Sequence, residues 1–165
     1  MTAIRFARAH PDCIVVAVDG AAAMLKYGRE AVNEAGLDDR IALIHDRLPG
    51  ARLPHEMYDV VISNSLLHHL HDPMVLWQAV AAYAAPGAPV FIMDLMRPPT
   101  PEAARQLRDR YAAGEPEILQ QDFYHSLLAA YTPDEVGSQL KAADMAQLRV
   151  EAASDRHLIV AGRVP

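Results

Sequence analysis

Two carboxylates and one dense polar turn stand where apolar runs end, and their positions limit the chemistry open to this chain. Asp19 follows CIVVAV (13–18), and Asp46 comes just after IALI (41–44). A carboxylate at the tip of a buried strand can accept hydrogen bonds from the vicinal hydroxyls of a ribose. Asp46, one strand later, could accept from the amino group of an adenine. Each acid also has an ordinary structural use: Asp19 can cap the helix after it, and Asp46 can brace a turn.

The third cluster lies in YDVVISNSLLHHLHDP (58–73). Val60–Ile62 reads as a strand covered on both faces, and Asn64 and Ser65 place hydrogen-bonding side chains where it ends. In an open parallel sheet the crevice beyond the strands' carboxyl ends is where ligands sit. His69 is a candidate general base there. The spacing HHxH (68–71) within one short turn points its rings in different directions, and Asp72 with Pro73 reads as a helix cap, so no metal site is expected. Asp94 and Arg97 flank the end of PVFIMDL (89–95), where they could orient a polar or anionic acceptor or pair with each other at the surface. Tyr124 and His125, within QDFYH (121–125), are candidates for a lid over an acceptor, with His125 a second candidate base. Phe123 reads as packing.

Alternating strands and helices must position these groups. Residues 2–10 read as the last turns of a helix. A strand at 13–18 is followed by a helix at 21–35 that Gly36 stops. Short strands at 41–44 and 60–62, a helix at 73–85 and a strand at 89–95 come next. The rhythm then pauses over a partly helical section, about 96–131. The capping box Thr132–Glu135 opens another helix, and 147–152 and 157–164 close the chain as an antiparallel hairpin. The pattern predicts a single α/β domain over 1–165, a three-layer sandwich on a mainly parallel sheet.

Composition narrows the class. Apolar residues make up 52% and charged ones 22%, a globular balance. No run approaches the roughly 20 apolar residues of a membrane span, and the N-terminus lacks a signal peptide's core, so a cytoplasmic protein with no membrane partner is expected. Cys13 stands alone, which excludes an internal disulfide. A net charge of −6, with both signs mixed along the chain, argues against a nucleic-acid partner.

In combination, IVVAVDGAAAML, IALIHDRL, YDVVISNSLLHHLHDP and PGAPVFIMDLMRP resemble successive motifs of class I S-adenosylmethionine-dependent methyltransferases, over about residues 4–164. The resemblance implies a Rossmann-like fold and S-adenosyl-L-methionine as cofactor. It assigns the ribose to Asp19 beside Gly20, adenine to Met24, the adenine amino group to Asp46 with Arg47 beside it, and the methionine part to Asn64, Ser65 and Leu66. It implies methyl transfer to a small-molecule acceptor, and leaves a homodimer open. The pattern departs in one place: a glycine-rich loop should stand about 20 residues before the ribose acid, yet the first glycine is Gly20. The first, central strand is therefore expected to be missing and Met1 to be an internal start. A truncated, non-catalytic remnant or interaction module is the competing expectation. A nicotinamide dehydrogenase ranks last, because no YxxxK pair follows.

Overall fold

The computed structural model describes all of residues 1–165. The chain divides into two compact units, Met1–Glu56 and Met57–Pro165. No helix is long and apolar enough to cross a membrane.

The first unit comprises α1 (Thr2–Ala9), β1 (Val15–Asp19), α2 (Ala22–Glu34) and β2 (Ile41–His45). β1 and β2 pair in parallel, from Val15 opposite Ile41 to Asp19 opposite His45. Ala7, Val32, Leu37 and Ile41 form its core. The Arg40 guanidinium ties α1 to β1 by donating through Nη2 to the carbonyls of Ala7, His10 and Cys13 at 2.7–2.9 Å. Gly36 ends α2 as expected: at φ +65 its N–H donates to the Asn33 carbonyl while Leu37 N–H reaches back to Val32, which satisfies carbonyls a continuing helix would have used.

The second unit holds β3 (Val61–Asn64), a 3₁₀ turn (Leu67–His69), α3 (Met74–Tyr83), β4 (Pro89–Leu95), α4 (Pro101–Tyr111), α5 (Glu117–Ala129), α6 (Pro133–Ala142), β5 (Arg149–Ala152) and β6 (His157–Arg163). Its sheet runs β3-β4-β6-β5. β3 and β4 are parallel, and β6 is antiparallel to both neighbours, so the closing hairpin is as expected. The pausing section is two helices, α4 and α5, packed on each other.

In each sheet one of these strands lies at an edge: β1 bonds only β2, and β3 only β4. That overturns the reading of β3 as covered on both faces. Val60 is 36% exposed and the rest of the strand is at best half-buried, because an edge strand has a neighbour on one side only. β4 is the enclosed strand. Its Val90, Ile92 and Asp94 alternate inward onto a core of Trp77, Val80, Val136, Leu140, Leu158 and Val160, while Phe91 on the opposite face is exposed.

Gly162 in β6 is the tightest backbone position of this unit. A Cβ there would lie 2.8 Å from Leu148 Cδ2 and 3.2 Å from Leu148 Cα, at φ +155. Gly162→Ala should therefore cost about 1–3 kcal/mol, read as a fall in the urea midpoint with the slope unchanged.

Candidate functional site

In the first unit the parallel register alone brings two acids together. Asp19 ends β1 opposite His45, and the next residue, Asp46, donates its N–H to the Asp19 carbonyl at 3.3 Å. The carboxylates thus share one end of the ladder, as their positions after successive strands predict. Of the structural alternatives, Asp46 does brace a turn, whereas Asp19 is not the cap of α2, whose N-cap is Ala21 with no side-chain cap bond. Asp19 Oδ1 accepts from Ala21 N–H at 2.8 Å, an Asx turn into α2 that leaves Oδ2 open. Asp46 accepts from Arg47 N–H at 2.8 Å and Arg52 N–H at 3.0 Å. Those amides hold its carboxyl below the usual range, so it stays ionised at neutral pH with one lone pair of each oxygen still available.

Gly20 explains itself by what crosses it. A Cβ at Gly20 would meet Arg47 Cγ at 2.8 Å, and both His45 Nε2 and Arg47 Nη2 come within 3.5 Å of the Gly20 carbonyl. The Arg47 side chain thus lies across Gly20, close to the two acids. Met24 sits one turn into α2, 60% exposed, with Tyr27 at 67% one turn further. Tyr27 and His45 were not singled out in the sequence. Helical i, i+3 spacing from Met24 flags Tyr27, and the position just before Asp46 flags His45.

In the second unit the turn after β3 is organised by a carboxylate from the neighbouring strand. Asn64 pairs with Met93, which sets Ser65 level with Asp94. Ser65 adopts φ +55, a left-handed conformation uncommon outside glycine, held by its N–H on the Met93 carbonyl and by Asn64 Nδ2 donating to its Oγ at 3.0 Å. This reversal aims three successive amides at one acid. Leu66 and Leu67 N–H donate to Asp94 Oδ2 at 2.7 Å each, and His68 N–H reaches Oδ1 at 3.4 Å. His68 Nδ1 lies 2.6 Å from Oδ1, and Leu95 N–H adds a bond of 2.8 Å. Asp94 is 1% exposed. Burial pushes its carboxyl up, but His68 and the amides outweigh burial and hold it below the ordinary value.

Two sequence assignments change as a result. Asp94, expected to orient an acceptor, is enclosed and committed to its own chain. Arg97 pairs with Glu135 on α6, the N3 residue of the capping box that opens that helix, so neither of these two side chains stands free. Asp72 Oδ1 accepts from Met74 N–H at 2.9 Å, but α3 starts at Met74 with Pro73 as its N-cap, one residue later than expected. His69 is exposed, its ring 4.0 Å from that of His68. Partial burial, then the neighbouring His68, lower its pKa, which leaves it neutral at pH 7. α5 packs on the 3₁₀ turn, with Leu127 sealed. Phe123 is half-buried, in line with packing. Tyr124 lies 5.9 Å from both the Arg105 and Arg108 guanidinium groups, and His125 is exposed. The signal that marks His68 over His69 is a carboxylate at the tip of the adjacent parallel strand.

Comparison with known proteins supplies the context. A family model described as a methyltransferase domain matches residues 1–87. An uncharacterized methyltransferase of Mycobacterium tuberculosis is 25% identical over 142 residues, which cover 86% of this chain and 69% of that protein. Among solved structures, an S-adenosylmethionine-dependent methyltransferase from Aquifex aeolicus has a TM-score of 0.63 at 21% identity, covering 92% of this chain and 69% of that one. The plantazolicin methyltransferase BpumL, solved in complex with a triazolic desmethylPZN analog and SAH, gives 0.66 at 12%, covering 98% of this chain and 71% of that one.

Proposed function

We propose that this chain, which belongs to the methyltransferase domain family, binds S-adenosylmethionine and transfers its methyl group to a small-molecule acceptor. The observation that carries this reading is the pair of acids at neighbouring strand tips beside Gly20. The residues present suit a nucleoside: Asp19 keeps an open oxygen for ribose hydroxyls, Asp46 keeps acceptor capacity for an exocyclic amine, and Met24 offers apolar surface for a base. Arg47 lies across Gly20, and any larger residue at position 20 would displace it. Asn64, Ser65 and Leu66 are the residues assigned to the methionine portion.

When bound, the cofactor supplies an electrophilic methyl group on a sulfonium. The protein's part is position: holding two reactants in line removes association entropy, worth about 7–11 kcal/mol of barrier. Tyr124, His125 and His69 are offered to the acceptor, from α5 and from the turn it packs on.

Calorimetry with S-adenosylhomocysteine on this chain tests the assignment. Binding by the chain as it stands supports it directly. No binding favours a non-catalytic remnant.

A further inference from the structure

We propose that His68, held by Asp94, is the general base of the second unit, and that the acceptor it serves carries a hydroxyl group. The inference rests on the methyltransferase reading and adds the chemistry of the group that receives the methyl.

The geometry around His68 fixes its protonation. Asp94 already accepts four backbone N–H groups and is held in its ionised form, so at 2.6 Å it can only accept from the ring. Nδ1 therefore carries the proton, and in the neutral ring the lone pair is on Nε2. Nε2 has no partner within the chain and is not sealed from solvent. The side chain as a whole keeps 5% of its surface, so the ring is enclosed and oriented while one basic edge remains. A carboxylate behind an imidazole does two things: it selects the tautomer, and it stabilises the imidazolium that forms when Nε2 takes a proton. His69 lacks such a partner and is left as a neighbour.

A base matters only for an acceptor that holds its proton at neutral pH. A free amine has its lone pair ready, whereas an alcohol or phenol becomes a competent nucleophile by losing a proton. In the step assigned here the acceptor oxygen bonds to the methyl carbon as the carbon–sulfur bond breaks, and that bond's electron pair returns to sulfur. The hydroxyl proton ends on His68 Nε2, giving an imidazolium paired with Asp94. Asp94 touches no substrate and is a positioning residue.

Two readouts test this. Nitrogen-15 histidine spectra of the unliganded protein should show His68 as the Nδ1–H tautomer with a strongly downfield Nδ1 proton, lost in Asp94→Asn and retained in His71→Gln. An Nε2–H tautomer overturns the proposal without any turnover. The second readout presents phenols of graded acidity, aliphatic alcohols and amines with S-adenosylmethionine, alongside calorimetry with S-adenosylhomocysteine. His68→Gln should lower kcat about 100-fold or more for hydroxyl acceptors that are protonated at the assay pH, with KM nearly constant. For phenols already ionised the loss should shrink to a few-fold. An equal loss on both, methylation of amines alone, or no methylation by a protein that binds S-adenosylhomocysteine overturns the base and leaves the cofactor reading intact. Absence of S-adenosylhomocysteine binding overturns both.

Discussion

Asp94→Ala should lower the unfolding free energy by about 3–5 kcal/mol, because it removes the acceptor shared by several buried donors. The side chain is 1% exposed, and its oxygens gather the amides of Leu66, Leu67, His68 and Leu95 together with His68 Nδ1. Alanine strands those donors in a cavity, where each unsatisfied group costs about 1–3 kcal/mol before relaxation and water recover part of it. Asn should fall between, since it keeps one acceptor oxygen but turns N–H groups toward donors. Asp109→Ala is the control: that carboxylate is 62% exposed and pairs only at the surface with Arg108, so its loss should cost less than about 1 kcal/mol. Urea midpoints at constant slope give the comparison.

The same site sets a pH dependence whose sign follows from its direction of shift. The Asp94 pKa is depressed in the folded protein, so the unfolded state binds the proton first as pH falls. Its contribution is whole above the unfolded value, about 3.9, and is lost as pH drops through the lower folded value. Wild type should therefore lose this part of its advantage over Asp94→Ala as the pH falls through that acidic window.

Asp19→Ala should weaken S-adenosylhomocysteine about 10- to 100-fold, the effect expected for losing charge-assisted hydrogen bonds to sugar hydroxyls. One complication is visible in the structure: Oδ1 also accepts from Ala21 N–H at 2.8 Å, so alanine loosens the entry to α2 as well. Asp19→Asn separates the two effects. It keeps an oxygen for the turn and offers the ribose an N–H where the carboxylate offered a lone pair, so affinity should drop while the melting temperature holds. Equal losses of affinity and stability across both variants would mean that Asp19 serves the turn and nothing else.

Much of this was legible in the residues because the signals were local. Gly36 stops α2, Thr132 and Glu135 build the capping box, and Asp19 and Asp46 each end a strand; two parallel neighbours then put both acids at one end with no further information. What escaped the sequence depends on which way a side chain faces across strands. β4 alternates so that Asp94 points inward with Val90 and Ile92, which removes it from the acceptor and hands it to His68. Arg97 was read beside Asp94 because they are close in sequence, whereas the fold pairs it with Glu135, 38 residues on. Val60–Ile62 was read as doubly covered from its apolar run, but burial there depends on a neighbouring strand that no local pattern supplies.

The central claim is that Asp19 and Asp46 hold one nucleoside between them at the tips of β1 and β2. A titration of the isotopically labelled chain with S-adenosylhomocysteine, followed by amide NMR, tests it most directly. The amides of Asp19, Gly20, Asp46 and Arg47 should shift together and saturate at a single dissociation constant. Binding that leaves those four unmoved, or no binding at all, would contradict it.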